Sequence, residues 1–175
     1  MFKLLAAISV LCVASAISMI AVGGMLCLEG QPLRSMVRSP AWGFQVTGPE
    51  AELYHALNQY RGGPPLRLDP ALMAAARGRT NAVYKGGGSG FGVLRRGSGH
   101  NVNGQNPMAA ARSAGYRGNS VGENLAWGSS PAATVNPQWA NSRGHNRNQL
   151  DNWRDVGVAV GDGTNGNARV AIFGR

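Results

Sequence analysis

Three segments of this chain set a titratable side chain among glycine and asparagine: Gly99-His100-Asn101, Gly122-Glu123-Asn124-Leu125-Ala126 and Ser142-Arg143-Gly144-His145-Asn146. Two imidazoles and a carboxylate form a set that binds a divalent metal such as zinc or shuttles protons as general acid and base. Glycine permits backbone conformations that other residues avoid, which helps aim a side chain into a cleft. Spacing alone is weak support, since 23 and 22 residues separate the three positions. On spacing alone the favoured reading is the plainer one, with both histidines on surface loops and Glu123 capping or hydrogen-bonding. Asn124 reads as a residue that fixes its loop. His55, in mid-helix, reads as an exposed or packing residue.

The elements that must position these residues are marked by punctuation. Residues 1–32 form a leader, 33–48 lack periodicity and read as a linker, and 49–175 read as one domain. Thr47-Gly48-Pro49-Glu50 is a capping box with proline in the first turn. It opens a helix with Leu53, Leu57 and Tyr60 at helical spacing, stopped by Gly62-Gly63-Pro64-Pro65. Asp69-Pro70 caps a second helix, on which Leu72, Ala75, Ala76, Arg79 and Val83 recur at three and four. Lys85 to Gln105 is glycine-rich and aperiodic, which predicts a long loop. Asn106-Pro107 starts a short helix ending at Gly115, and Val121 to Trp127 is strand-like. Ser130-Pro131 begins a further helix that Pro137 should kink or end. Val156, Val158 and Val160, a turn over Asp162–Asn167, then Val170 and Ile172 predict a β-hairpin of half-buried strands. Helices first and a hairpin last imply an α+β fold with an antiparallel sheet packed on helices.

Lys and Arg number 17 against 8 Asp and Glu, a net charge of +9. The leader holds one Lys and one Glu, so the whole excess sits downstream. Glycine, 26 of 175 residues without a collagen period, argues against a helical bundle. Both cysteines, Cys12 and Cys27, lie in the leader, which argues against a disulfide scaffold. After Lys3 an uncharged run from Leu4 to Leu28 fits either a cleaved signal peptide or a retained membrane anchor over residues 4–28. Either one sends the domain out of the cytoplasm, to be secreted, periplasmic or anchored. A basic domain attracts polyanions. Its scattered basic residues do not interleave with aromatics, so no specific nucleic-acid binding is expected. Phospholipid head groups, the phosphates of teichoic acid or lipopolysaccharide, and extracellular DNA are the anions available outside the membrane.

Two motifs are decoys. Gly118-Asn119-Ser120-Val121-Gly122 matches a nucleophile elbow, but that motif needs a strand before and a helix after. Lys85-Gly86-Gly87-Gly88-Ser89-Gly90 suggests a phosphate loop, yet lacks the Walker order.

Leu57-Asn58-Gln59-Tyr60-Arg61, Pro65 to Leu72, Gly99-His100-Asn101, Ala114-Gly115-Tyr116, Gly122 to Ala126, Trp139 to Leu150 and Val156 to Val160 occur in that order. Together they resemble the CAP domain of cysteine-rich secretory proteins, antigen 5 and pathogenesis-related proteins, in a short bacterial form without cysteines. The resemblance implies a three-layer α-β-α sandwich with a mainly antiparallel sheet and a central cleft. It puts His100, Glu123 and His145 on three of the four polar positions that line this cleft, where some members hold a divalent metal. The fourth position, usually glutamate, is Ser142, and Pro137 interrupts a helix that is usually continuous. Trp127 and Trp139 read as core. The leading expectation is a binding or interaction module at the cell envelope, taking a lipid, a wall polymer or an extracellular protein. Its ligand would sit in the cleft, at His100, Glu123, Asn124 and His145, or on the basic face. The alternatives are a metal-assisted or acid/base hydrolase using His100, Glu123 and His145, and a structural or effector domain with a vestigial cleft. Enzymatic activity is the less favoured of these.

Overall fold

The first three helices among the described residues each start at a side chain, Thr47, Asp69 or Asn106, that closes the first turn. The computed structural model describes residues 37–38, 43–85, 100–102, 104–128, 134–163 and 166–175. The leader, the phosphate-loop decoy after Lys85 and the Ser130-Pro131 helix start lie outside the described residues. In chain order the elements are β1 (Val37–Arg38), β2 (Gln45–Val46), α1 (Gly48–Arg61), β3 (Arg67–Leu68), α2 (Pro70–Lys85), α3 (Pro107–Ser113) and β4 (Val121–Gly128). There follow α4 (Val135–Ala140), α5 (Arg143–Leu150), β5 (Asp155–Gly163) and β6 (Gly166–Gly174). Among the described residues no helix is long and apolar enough to cross a membrane.

The Thr47 hydroxyl accepts from the Glu50 amide at 3.3 Å, and the Thr47 amide donates back to Glu50 Oε2 at 2.8 Å. Buried Glu50 also accepts from Arg77 Nε and Nη2, each at 2.7 Å, so one carboxylate caps α1 and ties it to α2. This pairing raises the Arg77 pKa, chiefly through the hydrogen bond to Glu50. Asp69 Oδ1 accepts from the amides of Ala71 and Leu72 at 2.9 and 3.0 Å, and Asn106 Oδ1 from that of Ala109 at 2.8 Å. Helix α3 ends as its Ala-Gly-Tyr sequence dictates: Gly115 takes φ +95°, its amide reaches Arg112 O, and the Tyr116 amide reaches Ala111 O.

The main sheet runs β3-β5-β6-β4, with β3 parallel to β5 and the other pairs antiparallel. On one face Val156, Val158, Ala171 and Phe173 pack with Leu53 and Leu57 of α1 and with Trp139 and Trp153. On the other, Ala159, Val170 and Ile172 pack with Leu72 and Ala76 of α2, Ala111 of α3 and Tyr116. Helices therefore cover both faces, giving the expected α-β-α sandwich. The hairpin strands are accordingly buried on both sides rather than half-buried as their alternation suggested. Gly157 is one reason: a Cβ there would lie 2.0 Å from the Leu72 carbonyl carbon, so α2 rests on bare β5 backbone.

Two more expectations are corrected. Pro137 neither kinks nor ends a helix; it is the third residue of α4, in a first turn where its missing N–H costs no intrahelical bond. Part of the segment read as a linker is ordered: Val37 and Arg38 pair with Val46 and Gln45, and Val46 is fully buried in the α1-side core.

Candidate functional site

Strand β4 forms one edge of the sheet, and its period of two sends Glu123 and Asn124 to opposite faces. Glu123 faces α2. Arg79, buried on α2, pairs with it through Nε to Oε1 and through Nη2 to Oε2, the latter at 2.9 Å. The placement follows from simple distances. Gly157, Ile172 and Glu123 share one row across β5, β6 and β4, and two inter-strand steps span about 9.6 Å. Helix α2 lies on Gly157 at Leu72, and the seven residues on to Arg79 rise about 10.5 Å. The helix thus crosses the sheet with one anchor per edge of that row.

Arg79 also draws in the chain that carries His100. Its Nη2 donates to His100 O at 2.8 Å and its Nη1 to Gln105 O at 3.0 Å, beside the bridge between Val102 and Gln105. His100 Nδ1 lies 2.7 Å from Glu123 Oε2. A carboxylate oxygen accepts from a proton-bearing nitrogen, so the hydrogen between the two groups sits on His100 Nδ1 and Nε2 is the ring nitrogen turned away from Glu123. The side chain is 47% exposed, against 1% for that of Glu123.

On the other face Asn124, fully buried, donates from Nδ2 to His145 O at 2.9 Å. Asn148, one turn along α5, donates to Glu123 O at 3.0 Å and to Asn124 Oδ1 at 3.1 Å. Gly122 leaves room for this contact, because a Cβ there would fall 2.9 Å from the Trp153 ring and 3.1 Å from Asn148 Oδ1. The rings of His100 and His145 meet around the sheet edge, with centroids 6.3 Å apart and planes at 74°. Trp139 stands behind them, 6.5 Å from His145, with its indole N–H on Leu125 O at 3.1 Å. Burial first, and then the neighbouring His100, lower the His145 pKa, while Glu123 opposes the shift. His145 is therefore neutral near pH 7.

The structure brings His100, Glu123, Asn124 and His145 together. His55 stays apart in α1, half-buried with its ring edge-on to Tyr54 at 5.2 Å. Ser120 of the elbow decoy sits before β4, its backbone paired in both directions with Arg175. The residues that sequence reasoning missed are Arg79 and Asn148. The signal for Arg79 was present, as a charge inside the apolar stripe of α2.

A three-ligand metal centre does not fit this donor set. Both Glu123 oxygens are engaged by Arg79 and His100, and among the described residues no group of three His, Cys, Asp or Glu is placed to hold a metal ion. Glu123 instead orients an imidazole, which leaves ring nitrogens as the groups facing a ligand.

The sequence pattern of the cysteine-rich secretory protein family, CAP, matches residues 38–173. The chain belongs to the CAP family. No curated protein matches it in sequence. Among solved structures, this CAP domain is similar to an outer surface protein of Borrelia burgdorferi at TM-score 0.60 and 20% identity, over 81% of this chain and 97% of that one. It is also similar to an extracellular SCP-domain protein of Bacillus anthracis at TM-score 0.62 and 20% identity, over 73% of this chain and 40% of that one. A cysteine-rich secretory protein of Staphylococcus aureus aligns at TM-score 0.51 and 17% identity, over 71% of this chain and 38% of that one. The CAP domain thus spans well under half the length of the last two.

Proposed function

We propose that this CAP domain acts outside the cytoplasm as a binding module, with His100 and His145 at the mouth of its ligand cleft and Glu123 and Asn124 holding them in place. The observation that carries the reading is the state of Glu123. Its carboxylate is buried and neutralised by Arg79, so it fixes the tautomer of His100 rather than activating water. The result is a pair of imidazoles backed by tryptophan, suited to meet a polar group of an envelope lipid, a wall polymer or an extracellular protein. Location outside the cytoplasm is supported by the uncharged run from Leu4 to Leu28 and by fold relatives described as extracellular or outer surface proteins.

The test is retention of wild type, His100→Ala and His145→Ala on envelope fractions of the host. Loss of retention in both variants, with melting temperatures kept, is the expected outcome; equal retention of all three overturns the cleft as the binding site.

One observation favours a second reading. A histidine whose Nδ1 contacts a buried carboxylate at 2.7 Å is also how a general base is held. Under that reading Glu123→Gln lowers turnover of a peptide or ester substrate by orders of magnitude; activity that persists in this variant rejects it.

A further inference from the structure

A second built site lies where β3, β5 and Arg175 meet. Asp155, the first residue of β5, has no exposed surface. Its Oδ1 accepts from Arg67 Nε at 2.9 Å, and its Oδ2 from Arg154 Nε and Nη2 at 3.1 Å. Oδ2 also accepts from the Tyr116 hydroxyl at 3.1 Å. That ring is wedged between two glycines: a Cβ on Gly118 or on Gly174 would overlap its hydroxyl. Burial, then the hydrogen bond to Asp155, push the Tyr116 pKa up to about 12, so the phenol keeps its proton and donates throughout the physiological range.

Around this anchor is an open pocket of about 480 Å³, lined by Arg67, Arg117, Arg154 and Arg175 together with Asp69 and Asp155. Both carboxylates are already spent. Asp155 serves Arg67, Arg154 and Tyr116, and Asp69 caps α2. Four guanidiniums stand against the two lining acids and Asp151, which pairs with Arg175 at 3.4 Å, so the site keeps a net positive charge. The side chains of Arg67 and Arg154 remain 68% and 66% exposed although their Nε–H groups are pinned. Such a pair has little ordering left to lose when it meets an anion. Arg117 forms no ion pair among the described residues, and Arg175 is held over the Trp153 ring, 4.8 Å from its centre, with Nη1 3.4 Å from Asp151 Oδ1.

We infer that this arginine pocket is a site for a phosphomonoester group. Forked guanidiniums fit a phosphate bidentately, and the charge of about −2 on a monoester is drawn to this net positive site. The group can arrive on a soluble molecule or on a lipid head, and the probes separate the two. The site shares no lining residue with the histidine cleft and does not depend on it.

The experiment titrates the full chain with glycerol 3-phosphate, with glycerol as the uncharged control, and then with phosphatidylcholine vesicles with and without phosphatidic acid. Arg67→Gln/Arg117→Gln keeps Arg154 on the buried carboxylate, and Arg117→Gln alone alters only an exposed side chain. The expected result is binding of glycerol 3-phosphate but not glycerol, weakened about tenfold in the double variant and a few-fold in the single one. His100→Ala should leave this binding unchanged, which separates failure here from failure of the cleft. Because every variant carries the same apolar leader, only the part of vesicle binding that requires phosphatidic acid counts. If the double variant loses that part as well, the lipid is a source; if it loses only glycerol 3-phosphate, the source is soluble. Phosphate affinity unchanged in both arginine variants, or no binding of either phosphate probe by wild type, overturns the inference.

Discussion

Two buried carboxylates, Glu123 on edge strand β4 and Asp155 at the start of β5, face the same side of the sheet, and each is neutralised by arginine. Their partners differ in exposure. Arg79, on Glu123, is 3% exposed, whereas Arg67 and Arg154, on Asp155, face solvent. At the sheet edge the positive charge is spent inside, and what emerges is the imidazole of His100. At the other corner the carboxylate is spent inside, and what emerges is positive charge. One device thus builds two surfaces of opposite character, and the depth of the guanidinium decides which.

Removing the deep partner should have the largest effect. Arg79→Ala strands a buried carboxylate and frees the carbonyls of His100 and Gln105, so a loss of about 3–5 kcal/mol is expected in denaturant unfolding. Asp155→Asn removes charge where two partners already reach solvent and weakens the hold on Tyr116, at a cost of about 2 kcal/mol by the same measurement. Tyr116→Phe deletes one buried hydrogen bond without changing the ring, and about 1 kcal/mol is expected. If Asp155→Asn proves as costly as Arg79→Ala, depth is not what separates the two sites.

The smallest effect sharpens the comparison through pH. His145 has a folded pKa below its usual 6.5, so the unfolded chain binds the proton more readily. Its contribution is complete above pH 6.5 and is lost as the pH falls through the window beneath. Melting curves taken between pH 7.5 and 5 should therefore drop more for wild type than for His145→Gln. Parallel drops would show that burial of the ring does not govern its protonation.

Much of the fold was legible because local chemistry wrote it. Thr47 with Glu50, Asp69, Asn106 and Gly115 each close a helix end with groups only a few residues away. The same locality explains the errors. Nothing near Pro137 showed that its helix would begin at Val135, and nothing near Val156 showed that α2 would cover Gly157. Of the candidate site, His100, Glu123, Asn124 and His145 were readable from their setting and the family pattern. Arg79 was not, because its partner lies 44 residues away and a charge on an apolar stripe has no meaning until that partner is known. The arginine pocket was hidden for the same reason, since Arg67 and Asp155 are 88 residues apart.

The crossing of α2 over the sheet behaves as a ruler. Its zero mark is the missing methyl of Gly157, and its reading is taken at Arg79. Losing one residue between Leu72 and Arg79 would swing the guanidinium about 100° around the helix, away from Glu123 and out of reach of the His100 loop. That seven-residue interval is a dimension the candidate site does not leave open to change.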